Sequence, residues 1–376
     1  MTRAFSRHFQ NVLTALARPQ IFFWLLIWLM VLLVTGTVAE KYIGLYQSQK
    51  LFFGSFVIWF EGFVPAPGGY ATLAAIFVNL LCKLITERWT KQKLGTLVTH
   101  CAALLLLFGG FLTATYSSEG YMAIDEGASS NYVSDYHRHE LAISSGDQDV
   151  VFPQAQLKTG QVLKGSLPFT VTIENFFDNS TLTQRPEMIS DGSVHGMLMA
   201  VDMKPVDVAP EEEKNQPGLI FRVDGAGKDV DGRYAIFQDM PIEQRIKADG
   251  KTYTVTLRGE RRPLPFEVKL IKFTREFYPG TEQPRSYQSE VVVQDGKLEW
   301  HSLISMNNPL RYKGYTIYQS SFIEHDRNST SVLAVVKNIG ALFPYIASIA
   351  ICIGLLIHLF IRLPALTKTK AGAKKK

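Results

Sequence analysis

The chain has 376 residues, a formal net charge of +5 and a 47% share of hydrophobic residues, enough for a membrane anchor plus one or two ordinary domains. Its three cysteines, Cys82, Cys101 and Cys352, all fall in apolar stretches, which excludes a disulfide framework and thiol redox chemistry from the long polar block. The basic excess lies in short segments flanking the apolar stretches, so it reads as a topology signal and gives no ground for a nucleic-acid partner.

In chain order, residues 1–20 form a basic tail. Within it Ala4 to Ala17 sets apolar residues near helical spacing, which predicts an amphipathic helix along the inner membrane surface. Residues 21–37, IFFWLLIWLMVLLVTGT, predict the first span, read as an uncleaved anchor rather than a signal peptide. The loop 38–69 contains Leu51 to Val64, too short and too interrupted to cross. Its aromatics predict an interfacial or re-entrant segment on the outer face, ending at Pro65-Ala66-Pro67-Gly68-Gly69. Residues 70–85 are a shorter second span carrying Asn79 and Lys83, and Lys83 can reach the interface along its own aliphatic stem. A basic loop, 86–93, leads to the third span, 94–115, and the fourth is 339–361. A basic tail, 362–376, ends the chain.

The polar block 116–338 reads as strands. Alternating runs occur at Pro168 to Phe177, Leu219 to Val223, Tyr253 to Leu257, Phe266 to Phe273, Tyr287 to Val293, Tyr315 to Tyr318 and Ser331 to Val336. Turn pairs such as Asp231-Gly232, Asp249-Gly250 and Asp295-Gly296 separate them, and Pro205 to Gln216 reads as an acidic loop. The predicted fold is therefore a bundle of four spanning helices plus one large all-β domain, a sandwich or an open barrel-like sheet.

Loop charges orient the spans. Arg3, Arg7 and Arg18, then Lys83, Arg88, Lys91 and Lys93, then Arg362, Lys368, Lys370 and Lys374 to Lys376 fall on one side, with Glu87 among them. The opposite loop balances Glu40 and Glu61 against Lys41 and Lys50, and the β block is mildly acidic. The basic side is expected to be cytoplasmic, with both termini there and the β domain outside.

His100 is the most informative residue. It lies about 9 Å into the third span at 1.5 Å per residue. An imidazole at that depth needs a partner, either a neighbouring helix or a ligand. Both readings stand on the residues alone. Arg88, Lys91 and Lys93 lie just beneath it, which suits an anionic group with an apolar body such as haem, and neutral imidazole is a common haem-iron ligand. Gly109 and Gly110 offer close helix packing. His358, near the cytoplasmic end of the fourth span, is a candidate second ligand or an interfacial histidine. His137 and His139 have the spacing of a metal pair but no further nearby ligands, so a solvated loop is the plainer reading, as it is for the isolated His195, His301 and His325. The acidic run Glu211 to Glu213 reads as solvated loop. No nucleophile elbow, phosphate loop, zinc signature or Cys-x-x-Cys-His is present, and nothing reads as a self-contained enzyme.

Several stretches together resemble the ResB family of System II cytochrome c maturation. They are Leu33 to Tyr46 (LVTGTVAEKYIGLY), His100 to Thr113 (HCAALLLLFGGFLT), Glu119 to Gly127 (EGYMAIDEG) and Gly314 to Phe322 (GYTIYQSSF), the last followed by Ser331 to Val336 and the fourth span. Asn338-Ile339-Gly340 departs from the Asp-Pro-Gly of that family. The resemblance implies a multi-pass protein of the cell inner membrane that works with a CcsA/ResC-type partner. Together they would form a holocytochrome c synthase (haem lyase) that moves haem b outward and presents it to apocytochrome c. It implies that His100 is an axial ligand to haem in transit, with the second ligand supplied by the partner. Rival readings are a membrane-anchored sensor or scaffold with a ligand-binding outer domain, and a haem-bearing electron carrier using His100 and His358. A small transporter is disfavoured by the few polar residues in the spans.

Overall fold

A computed structural model describes residues 2–60, 62–146, 148–211, 214–240, 242–281, 284–324 and 329–373. Glu61, Glu212, Glu213, His325 and Lys374 to Lys376 lie outside these residues. The chain divides into a helical unit, 1–117 with 338–376, and a β unit, 118–337.

The helical unit begins with α1 (Thr2–Leu16) and α2 (Pro19–Ile43), the latter opened by a proline at its first position, where no N–H is needed. Gly44 turns the chain back into α3 (Leu45–Ser48) and a π-helical turn, Gln49–Phe53. A hairpin of β1 (Val57–Phe60) and β2 (Val64–Pro67) follows, then α4 (Gly69–Thr86), α5 (Leu94–Tyr116) and, after the β unit, α6 (Phe343–Ala373). α2, α4, α5 with its preceding turn, and Phe343–Leu363 of α6 are long and apolar enough to cross a membrane. The fourth helix thus starts at Phe343 rather than Ile339. Asn338 holds the turn before it, its Oδ1 accepting from the Gly340 N–H (2.8 Å) and from Thr113 Oγ1 (3.0 Å).

Two polar contacts explain the short second span. Asn79 is buried and donates to the carbonyls of Leu16 and Arg18 at the break between α1 and α2, the latter also accepting the Ile21 N–H. Lys83 reaches Glu87 one turn on, beyond the end of α4. α5 and α6 pack backbone to backbone. A Cβ on Gly95 would lie 2.4 Å from the His358 nitrogen, one on Gly354 2.9 Å from the Gly95 carbonyl, and one on Gly109 2.2 Å from Phe343. Gly110, expected to share in this packing, faces open space.

The β unit comprises β3 (Ser118–Asp125), β4 (Ser129–Ser145), β5 (Gln148–Pro153), β6 (Val162–Leu163), β7 (Thr170–Phe177), β8 (Ser180–Gln184), β9 (Val201–Pro205), β10 (Gly218–Asp224) and β11 (Gly232–Phe237). Then come β12 (Gln244–Ala248), β13 (Lys251–Phe277), β14 (Pro284–Asp295), β15 (Leu298–Ser305), β16 (Leu310–Tyr312), β17 (Tyr315–Glu324) and β18 (Ser329–Lys337). It is at once a sandwich and a nearly closed barrel. In the sandwich lobe the sheet β11-β10-β7-β6 covers β5, β12 and the adjoining halves of β4 and β13, around Ile143, Val171, Phe221, Ile246 and Val255. In the barrel lobe the order β15-β14-β13-β4-β3-β18-β17-β16 encloses Met122, Val268, Val291, Ile317 and Leu333. A Ser305–Asn308 bridge brings the ends of that sheet together.

One long strand replaces the two expected at 253–257 and 266–273. The inward positions of β13 are Tyr253, Val255 and Leu257 in one lobe and Leu264, Phe266, Val268 and Leu270 in the other, a change of phase across Pro263. β4 answers with a bulge: Gly259 pairs with His139, but Arg261 pairs with Ser134.

Candidate functional site

The basic loop and the first turns of α5 form one local arrangement. At the end of α4 the Glu87 N–H still bonds to Lys83, while its side chain is gripped by Lys83 and Lys93. Hydrogen bonds from these two ammonium groups hold the Glu87 carboxyl down to about 2. Trp89 folds back, its indole N–H donating to the Leu84 carbonyl at 2.8 Å. Its ring meets the His100 ring edge-on at 6.3 Å.

His100 is half-buried, and its Nδ1 lies 2.9 Å from the Thr96 carbonyl one turn earlier. A carbonyl only accepts, so Nδ1 carries a proton, and in the neutral ring the lone pair is then on Nε2. This is the tautomer and the orienting bond that a metal-binding imidazole uses. Of the three cations expected beside it, Lys93 is engaged by Glu87. Arg88 and Lys91 are exposed and, among the described residues, form no ion pair. An imidazole nitrogen, an aromatic wall and two uncommitted cations together suit an anionic metal complex with an apolar body.

His358 shares a hydrogen bond of 3.3 Å between its Nδ1 and Thr96 Oγ1, and its backbone is pressed against Gly95. Thr96 therefore touches both intramembrane histidines, His100 through its carbonyl and His358 through its hydroxyl. The sequence signal for Thr96 was its place four residues before His100; for Trp89 there was none.

The remaining histidines have local duties. Asp135 shapes the β4 bulge by accepting the N–H groups of His137 and Arg138, at 2.9 and 3.1 Å. Burial pushes the Asp135 carboxyl up, and these N–H groups with the Arg138 guanidinium pull it below its ordinary value. His139 is buried in the fold rather than solvated; it bonds Gln238 Oε1 through Nε2 at 2.7 Å, and its Nδ1 has no partner. Burial lowers its pKa, so it stands neutral. His195 stacks on Tyr234 (5.1 Å), and His301 faces Glu290 across the sheet at 3.6 Å. Among the described residues no group of three His, Cys, Asp or Glu side chains is placed to hold a metal ion.

The stretch Gly314 to Phe322 starts in a turn and continues along β17, where Gln319 pairs with Leu333 and Ser321 with Val332 across a bulge. Gln319 points into the barrel. Its Oε1 accepts from Ser289 (2.6 Å), and its Nε2 donates to the Ser321 carbonyl (3.1 Å) and to Ser331 Oγ (3.2 Å). Ser289 and Ser331 are fully buried and bond each other at 2.7 Å.

A family model described as the ResB-like family matches residues 83–188 and 243–331, just over half of the chain. The first block takes in the basic loop, Trp89, Thr96 and His100; the second takes in β13 to β17 with Gln319. Protein NrfI of Wolinella succinogenes is 23% identical over 332 residues, which cover 86% of this chain and 32% of that protein. The chain thus spans about a third of the length of this curated relative.

Proposed function

This chain belongs to the ResB-like family, and from that premise we propose that it acts in cytochrome c biogenesis, helping to carry haem across the membrane and to present it for attachment to apocytochrome c. The haem is cargo, and His100 is its axial ligand on this chain. The observation that carries this reading is the His100 ring itself, locked by Thr96 with Nε2 free, walled by Trp89 and neighboured by Arg88 and Lys91. Arg88 and Lys91 would meet the propionates, while Lys93 serves Glu87. The second axial ligand and the remaining machinery come from a CcsA/ResC-type membrane partner. The basic loops and both termini lie in the cytoplasm, and the β unit faces outward, as the loop charges favour. On this reading His358 is a packing residue of the α5–α6 contact, which separates the proposal from a two-histidine electron carrier.

The test is an absorption spectrum of the detergent-purified protein with its CcsA-type partner. Wild type should show a Soret band and a sharp reduced α-band, His100→Ala should lose most of both, and added imidazole should restore them. His358→Ala should keep the spectrum. A well-folded wild-type complex without haem would sink the proposal and leave the sensor or scaffold reading in its place.

A further inference from the structure

Hydrogen bonds at two levels fix α4 against α2 like marks on a ruler. Asn79 is level with the start of α2 through the Leu16 and Arg18 carbonyls. The carbonyl of Pro67, just before α4 begins, accepts the Trp28 indole N–H at 2.9 Å. Trp28 is only about 14 Å along α2 by the rise of 1.5 Å per residue, and α2 continues for roughly another 22 Å to Ile43. α4 therefore accompanies only the first part of α2. Alongside the rest runs the segment 45–67. Ser48 donates to the Gly36 carbonyl (2.6 Å), Phe53 fills the space where Gly36 lacks a Cβ, and Ile58 is buried in one cluster with Leu32 and Phe52.

The hairpin in that segment is apolar outward. Val57, Trp59, Phe63 and Val64 are 47, 58, 68 and 46% exposed, and the sequence from Val57 to Pro67 holds a single charge, Glu61, between the strands. An open strand edge in hydrocarbon is costly because its N–H groups find no acceptor. On its β2 side the hairpin carries no such donor. Proline has no N–H, so the ladder takes its donors on β2 from Val64 and Ala66, and Pro65 and Pro67 fall where an N–H would point away from β1. The Pro67 carbonyl has its partner in Trp28. At the base, Gly68 and Tyr70 donate to the Phe56 and Ser55 carbonyls, and a Cβ on Gly68 or Gly69 would collide with the backbone of Ser55 or Phe53.

We propose that the β1–β2 hairpin is immersed among the lipid acyl chains of the leaflet away from the basic loops, alongside the part of α2 that α4 does not accompany. Lipid is the occupant because the hairpin continues the lipid-facing surface of α2, exposes aromatic and aliphatic side chains there, and carries no N–H on its β2 edge.

Nitroxide labels in the full-length protein test this. Cys82, Cys101 and Cys352 are replaced by alanine, and single cysteines are introduced as Val57→Cys and Val64→Cys. References are Val34→Cys on the exposed flank of α2 and Lys297→Cys on the polar surface of the β unit. Collision rates with oxygen and with a water-soluble nickel chelate are measured in phosphatidylcholine–phosphatidylglycerol vesicles. Labels at 57 and 64 should match Val34→Cys, with oxygen access high and nickel access lost relative to Lys297→Cys. Val57, paired with Pro67 beside Trp28, should be the more shielded from nickel. Nickel access equal to that at Lys297 would overturn the proposal by putting the hairpin in water. Low access to both reagents would overturn it by showing a protein cover.

Discussion

Gln319 shows how one side chain can keep a β-barrel wall continuous through a bulge. The bulge leaves Ser320 without a register partner, and the Gln319 amide spans it by donating to the Ser321 carbonyl while also serving two buried hydroxyls. Gln319→Leu removes the amide from a dry site and leaves Ser289 and Ser331 with only each other. The expected cost is about 2 kcal/mol, the range for stranding buried polar groups. Urea unfolding should show the loss, and the triple variant Gln319→Leu, Ser289→Ala, Ser331→Ala should recover much of it. If Gln319→Leu alone leaves the midpoint unchanged, the network is ornamental. Tyr-Gln-Ser-Ser was visible in the sequence as part of the family resemblance, but its meaning was not, because Ser289 comes from a strand thirty residues away. The Tyr-His-Arg-His-Glu run misled for the same reason. Its spacing suggested a metal pair or a solvated loop, whereas a register break with a distant strand buries His139 and puts the other residues to work holding the bulge.

Among elements, the α5–α6 pair is fixed by where glycine falls. Gly95 and Gly354 let two backbones touch, while Gly110, two turns above His100 and beyond, meets nothing within 4 Å. Gly95→Val forces the helices apart where His358 and Thr96 meet, at a cost of about 1–3 kcal/mol by the usual penalty for overpacking. Gly110→Ala adds a methyl group into open space and improves helix propensity. Melting of the detergent-solubilised protein should therefore be lower for Gly95→Val and unchanged or higher for Gly110→Ala; equal behaviour of the two would refute this packing. The sequence could not rank Gly109 above Gly110, since the choice belongs to Phe343, more than two hundred residues on. The spanning helices themselves were legible because hydrocarbon demands long apolar runs whatever the partners. The hairpin was not, because its strands are four residues each and its place depends on Trp28 and Leu32.

At the scale of the whole chain, the β unit can be read as a body that folds by itself. Its cut points, Ser118 and Lys337, are paired with each other on adjacent antiparallel strands, so excision at these ends strands no ladder partner. Its cores are its own, and it contains no cysteine. The sequence left sandwich and barrel undecided because the two lobes share β4 and β13, whose pairing joins residues more than a hundred positions apart. That sharing has a thermodynamic consequence. A change deep in the sandwich lobe loosens strands that also wall the barrel, so the lobes should unfold together. Phe221 is fully buried in the sandwich lobe, and Phe221→Ala should cost about 3–5 kcal/mol. Trp300, the one tryptophan of residues 118–337, packs on the barrel core and reports only there. In isolated residues 118–337, Phe221→Ala should shift the urea midpoint seen by Trp300 fluorescence as far as the midpoint seen by far-ultraviolet circular dichroism. If Trp300 keeps its wild-type midpoint while dichroism moves, the lobes are independent and the long strands are hinges between them.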